Sequence, residues 1–396
     1  MEETDIIRQH LTDDVYALSA KDGWYGDSDK KGLLQQIQSR QKAKSKLPSW
    51  YGNFDLLFPP PVSVEQASSE LTASYKAGLV ADGTLVDATG GMGVDSSFFA
   101  RRFQRVVYME MQPNLVELAR HNFAVLGLDN VEARLNPDGS IGNLPDGDCV
   151  FLDPSRREAG RRVFLLEDCT PDLLNWWPQL RQKFGTVLVK LSPMYDITSA
   201  VRALADIAEI HVVAVAGEVK ELLLLATREN AAPLTITCAD LARDGSVRQA
   251  TFPYDQRNRS IGCAAEVGKY LYEPAAPLMK AELMNAEAAR CGLEKLHPHS
   301  HLYTSDELVP DFFGRPFEVE AAFGMGKADL KAGLQGVTHA DITVRNFPTG
   351  EAELRKRLRL GAGGGTTLFA TTLGQKHILI RTHRIKSSSS SKTIEK

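Results

Sequence analysis

The sequence predicts an α/β fold built on a mostly parallel, doubly wound sheet, preceded by an N-terminal helical segment and followed by C-terminal α+β domains. Three observations predict it. Short apolar runs alternate with helix-like stretches from residue 85 to residue 226; a glycine-rich turn, Asp87-Ala88-Thr89-Gly90-Gly91-Met92-Gly93, follows the first run; and the second run, Val106-Val107-Tyr108-Met109, ends on the carboxylate Glu110. A strand, a glycine turn and a helix start in that order place a ligand at the carboxyl edge of a parallel sheet.

Taken in order, residues 1–80 read as mostly helical and reach the sheet through the extended connector Leu57-Phe58-Pro59-Pro60-Pro61. Ser63, with Gln66 three places on, has the form of a capping box and predicts a helix start. The first domain, 81–230, carries strands at 85–88, 106–109, 131–135, 149–152, 187–190, 210–215 and 222–226. Between them lie helices at 96–103, 113–126, 171–183 and 198–205, the second opened by Pro113 and closed by Gly127. A small α+β domain, 231–316, holds strands 234–238 and 247–252, a helix 277–289 and a loop with His297, His299 and His301. A third piece, 317–386, reads as strand 319–323, helix 328–334, strand 340–345, basic helix 352–360, the loop 361–365 and a hairpin about Gly374. The tail 387–396 is serine-rich and expected to be disordered.

The glycine turn has a chemical preference. Glycines let a backbone pass close beneath a ligand, and Glu110 is placed to accept hydrogen bonds from ribose hydroxyls. Asp87 would set a carboxylate against a pyrophosphate, and the dinucleotide order G-x-G-x-x-G is absent. S-adenosylmethionine has no phosphate and carries an ammonium and a sulfonium, so Asp87 favours it over NAD. Here the residues resemble the class I S-adenosylmethionine-dependent methyltransferases, which have a Rossmann-like sheet. The resemblance implies a cofactor site at Asp87, Thr89, Gly90, Gly91, Gly93, Asp95, Glu110 and Met111, with Asp138 on the adenine amino group; read alone, Asp138-Gly139 is equally a plain turn.

Asp153-Pro154, after the fourth strand, matches the catalytic motif of the same family, whose amino-methylating members carry an aromatic where this chain has Arg156. That departure weakens an exocyclic-amine acceptor. Arg156 and Arg157 suit a phosphate clamp or a base stack, or equally a pairing with Glu158. Lys190 after the fifth strand is costly to bury unpaired and joins Asp153 as a candidate catalytic residue. Lys76, Asp153, Lys190 and Glu221 follow the order of the Lys-Asp-Lys-Glu tetrad of ribose 2′-O-methyltransferases, at loose spacing. Cys149 and Cys169 lack the surroundings of a nucleophile.

Composition bounds the rest. The 396 residues are 43% hydrophobic with a net charge of −4, no apolar run long enough to span a membrane, and an acidic start unlike a signal peptide, so a cytoplasmic protein is expected. Five scattered cysteines without C-x-x-C spacing suggest neither disulfides nor zinc. The alternation His297-Pro298-His299-Ser300-His301 could align three imidazoles, but no cysteine or carboxylate cluster accompanies them, and no metal is expected. Residues 317–396 hold 13 Lys+Arg against 7 Asp+Glu, and six cations between Lys30 and Lys46 face no acid, which suggests a nucleic-acid footprint or two solvated faces. Asp341-Ile342-Thr343-Val344-Arg345-Asn346-Phe347-Pro348 and the hairpin after it resemble the THUMP-like domain of a family of predicted bacterial RNA methyltransferases. The likeness extends over most of the chain, including 68–77 and 151–157, and implies an RNA partner, tRNA or rRNA. The rival readings are an RNA-binding protein with an inert methyltransferase fold, and a small-molecule or protein methyltransferase.

Overall fold

A computed structural model describes residues 2–156, 166–228, 232–385 and 392–393. Arg157, Glu158 and most of the serine-rich tail lie outside them. The chain divides into two compact units, Met1–Ile210 with Glu221–Ala232, and His211–Lys220 with Pro233–Lys396.

The chain supplies β1 (Thr84–Asp87), β2 (Arg105–Glu110), β3 (Val131–Leu135), β4 (Cys149–Leu152), β5 (Thr186–Leu191), β6 (Glu209–Val215) and β7 (Glu218–Thr227). In the first unit the order is β3-β2-β1-β4-β5-β7. The first five are parallel and β7 runs antiparallel to β5. Every side chain of β4 is buried, as befits a parallel strand covered on both faces, which is why its sequence is a continuous apolar run instead of an alternation. The helix Pro113–Val125 begins on its proline, where the missing N–H has no helical partner to lose.

The N-terminal segment is tied down by side chains that grip backbone. Arg40, 1% exposed, donates to the carbonyls of Tyr51, Asn53, Phe54 and Leu56 at 2.6–3.3 Å. Asn122 accepts the N–H of Leu57 at 2.8 Å and returns its amide to the Leu57 carbonyl at 2.9 Å. The helix expected from Ser63 instead starts at Pro61, whose fixed φ nucleates it, and carries no side-chain cap. The capping box lies further on, between Ser69 and Thr72, and opens the helix Glu70–Ala77.

The second unit adds β8 (Thr235–Leu241), β9 (Ser246–Pro253), β10 (Tyr270–Pro274), β11 (Glu294–His297), β12 (Ser300–Ser305), β13 (Gly314–Gly324), β14 (Asp341–Val344), β15 (Thr366–Leu373) and β16 (Lys376–Arg384). β8 and β9 pair antiparallel, and Lys392 and Thr393, in the tail expected to be disordered, pair with Val247 and Ser246. A seven-stranded sheet follows in the order β11-β12-β10-β13-β16-β15-β14. Leu271, Leu296, Leu302, Phe317, Phe369 and Ile380 form one of its cores. The single helix expected at 277–289 is two, Ala276–Ala281 and Met284–Arg290. They break at Glu282, held at φ 59° while its carboxylate pairs with Arg257 at 2.7 Å and its carbonyl accepts the Asn258 N–H.

Candidate active site

Asp87 ends β1 and anchors the glycine turn. It is 1% exposed and accepts the Ser96 hydroxyl at 2.6 Å and the Thr89 N–H at 3.2 Å. Burial pushes its carboxyl up to about 7; the hydrogen bonds oppose the rise, and the nearby Asp95 and Asp153 charges add to it. Gly91 takes φ 55°, which turns its N–H onto Glu110 Oε2 at 2.9 Å. Gly90 is demanded by packing, since a Cβ there would lie 2.2 Å from the Tyr108 ring.

Glu110 closes β2 with its other oxygen accepting the N–H groups of Met111 and Gln112 at 2.8 and 2.9 Å. Met111 is 46% exposed and lies against Gly139, where a Cβ would come 2.8 Å from its sulfur. Next to Gly139, Asp138 accepts the Ser140 N–H at 3.1 Å and the Asn143 amide at 2.7 Å. The Met111 thioether is exposed beside Asp138-Gly139 and next in the chain to Glu110, which puts an apolar side chain near two carboxylates. That set fits the adenosine of S-adenosylmethionine.

Asp153, just after β4, and Lys190, the penultimate residue of β5, form an ion pair at the carboxyl edge of the sheet, with side chains 31% and 14% exposed. The Asp153 N–H donates to Thr89 Oγ1 at 2.6 Å, which ties this pair to the glycine turn. Behind it, Lys76 is wholly buried and sits 2.9 Å from Glu221, 3.1 Å from Asp95 and 2.9 Å from the Ser68 hydroxyl. Ser68 in turn donates to Asp95 at 2.7 Å. Burial works against the charge on Lys190, but the carboxylates of Asp153, Glu221 and Asp95 outweigh it and raise its pKa. Burial also raises Glu221, against the pull of Lys76 and Lys190.

Lys76, Asp153, Lys190 and Glu221 therefore come together, but as one open pair and one sealed pair. With 0% and 2% of their side chains exposed, Lys76 and Glu221 are out of reach of an acceptor. Arg156 pairs through its backbone with Cys169. Ser68 and Ser96 carry no motif, and sequence reasoning missed both. The histidines expected in a loop belong instead to a tight hairpin, with His297 closing β11 opposite Ser300, because the intervening Pro298-His299 makes the turn. Among the described residues no group of three or more His, Cys, Asp or Glu is placed to hold a metal ion, and no helix is long and apolar enough to cross a membrane.

Residues 270–312 match a ferredoxin-like domain and residues 314–384 a THUMP domain-like family. An uncharacterized S-adenosylmethionine-dependent methyltransferase of Mycobacterium tuberculosis, from strains CDC 1551 / Oshkosh and ATCC 25618 / H37Rv, is 29% identical over 355 residues, covering 86% of this chain and 92% of its own. A crystal structure of a candidate methyltransferase from Porphyromonas gingivalis W83 superposes with a TM-score of 0.85 at 31% identity, over 97% of this chain and 98% of that one. The chain belongs to the class I S-adenosylmethionine-dependent methyltransferases and carries a C-terminal THUMP-like domain.

Proposed function

We propose that this methyltransferase acts on RNA, a tRNA or an rRNA. The observation that carries the reading is the union, in one chain, of a methyl-transfer site with the THUMP-like residues 314–384. The exposed cations Lys356, Arg357 and Arg359 on and just after the helix Glu351–Leu358 support it. The free state of all five cysteines agrees with work in the reducing cytoplasm.

In this reading Glu110 holds the cofactor's ribose, Met111 and Asp138 its adenine, and the turn Thr89–Gly93 its amino-acid end, with Asp87 and Asp95 lending negative charge. S-adenosylmethionine, when bound, supplies a methyl group activated by its sulfonium. Asp153 accepts a hydrogen bond from the acceptor N–H or O–H and orients it. Lys190, held as a cation and so a poor base, steadies the Asp153 carboxylate through their ion pair, and Asp153 takes the acceptor's proton as the methyl group leaves the sulfonium. The Lys76–Glu221 pair acts through Lys190 and not on the acceptor. Arg156, close after Asp153 in the chain, is proposed to contribute a cation for the RNA.

The test is methyl transfer from labelled S-adenosylmethionine to total RNA from cells lacking the gene, followed by mass spectrometry of the nucleosides. One modified nucleoside, absent from deletion cells and restored by the purified protein, is expected. Labelling of protein or small molecules with none in RNA would overturn the proposal.

A further inference from the structure

In the second unit a buried carboxylate joins two exposed arginines. Glu273 on β10 is 4% exposed. Its Oε2 pairs with Arg315, directly opposite on β13, and its Oε1 with Nη2 of Arg345 at 2.7 Å. Arg345 follows β14, and its Nη1 donates to the Val344 carbonyl at 2.9 Å. Two guanidiniums, one on β13 and one just past β14, are thus held on the same carboxylate, yet 50% and 42% exposed. One negative charge holds two positive ones, so one positive charge is left uncompensated at the surface.

The adjoining residues extend the surface. Asn346 holds the left-handed φ of 51°, a strained backbone for a residue with a side chain. Its carbonyl accepts the Thr372 hydroxyl at 2.6 Å, and its amide reaches His297 Nδ1 at 2.9 Å. The same nitrogen accepts the His299 N–H at 3.0 Å, so Nδ1 acts as an acceptor and Nε2 is left to donate. His301 Nδ1 is buried with no hydrogen-bond partner among the described residues, and burial, with the Lys295 and Arg345 charges, lowers the pKa of that ring.

We propose that Arg315 and Arg345, positioned by Glu273 with His297 beside them, form a binding site for a phosphodiester of the RNA backbone. The inference rests on the RNA reading given above. Planar guanidinium forks match the paired oxygens of a phosphate. A single uncompensated positive charge matches the single charge of a diester better than the charge of about −2 on a monoester. Glu273 comes from the ferredoxin-like segment and both arginines from the THUMP-like one, so the site exists only where the two fold together.

The experiment uses the full chain and polyuridylate, with affinity read by fluorescence anisotropy across a salt series and the melting temperature recorded in parallel. Glu273→Gln, Arg315→Gln and Arg345→Gln are combined so that no buried charge is stranded. Weaker binding with a salt slope shallower by about 1 per lost contact is expected, with S-adenosylmethionine affinity unchanged. If that variant fails to fold, Arg315→Lys with Arg345→Lys keeps both charges, removes the forks and is expected to weaken binding to a smaller extent. Unchanged affinity and slope in a folded variant overturn this site and leave the RNA reading standing. A wild-type protein that binds neither polyuridylate nor total tRNA overturns both. Uridine 5′-monophosphate competing as well as polymer, phosphate for phosphate, would assign the site to a monoester and overturn the diester.

Discussion

The Ser96 hydroxyl lies 2.6 Å from Asp87 Oδ2 and donates to it inside the core of the first unit. The carboxyl is nonetheless held near 7 by burial, so this hydrogen bond restrains a larger opposing force. With the folded pKa above the unfolded one, the folded state binds the extra proton between about 4 and 7, and stability falls as pH rises through that window. Asp87→Asn mimics the protonated form. Its stability relative to wild type should improve steadily from pH 5 to pH 8 in urea unfolding; a difference independent of pH would remove Asp87 as the titrating group.

Asp153→Ala and Lys190→Ala should each fold, bind S-adenosylmethionine with near-native affinity and lose roughly 10²–10⁴-fold in turnover. Because neighbouring carboxylates raise the Lys190 pKa, the wild-type pH–rate profile should show no rising limb from lysine deprotonation between pH 7 and 9. Such a limb, abolished in Lys190→Ala, would make Lys190 the base after all.

The sealed pair should act through stability first. Lys76→Met leaves Glu221 and Asp95 buried without their cation and should cost about 3–5 kcal/mol. Adding Glu221→Gln should recover part of that loss without restoring turnover. Chemical denaturation and methyl transfer measured on the same preparations separate the two effects, and full turnover in the double variant would dissociate this pair from Lys190.

Reversing Lys356, Arg357 and Arg359 to glutamate should weaken RNA binding and flatten its salt dependence. Arg355 belongs outside that set. Its guanidinium donates to the carbonyls of Ala340 and Gly361, both at 2.9 Å, and so fastens the loop after the helix. Arg355→Glu should lower the melting temperature, while the triple reversal should not.

What the sequence makes legible is what repeats or what glycine permits. The apolar runs at β1, β2, β4 and β5 and the turn at Gly90–Gly93 announce themselves, because burial on both faces and a positive φ leave few residue choices. Contacts that close over long separations leave no such trace. Glu273 and Arg345 stand 72 residues apart, and each alone reads as an ordinary charge. Ser68 and Ser96 look like helix-start serines, and the hairpin at His297 is concealed because Pro298-His299 also suits a loop. The capping box shows the same limit: Ser63 has Gln66 three places on yet makes no cap, while the box forms at Ser69 with Thr72, which lacks the Glu or Gln of the usual pattern.

Lys76 and Glu221 are separated by 145 residues, which gives the site an order of assembly. During synthesis the lysine emerges first and must wait for its carboxylate on the order of ten seconds at ordinary elongation rates. Until β7 pairs with β5, the ammonium has Asp95 and Ser68 as partners but lacks its second carboxylate. A fragment ending before residue 221 would lack the carboxylate that completes the buried pair behind Lys190. The buried pair behind Lys190 is complete only once β7, the last strand of the first unit, has been made, well after the glycine turn.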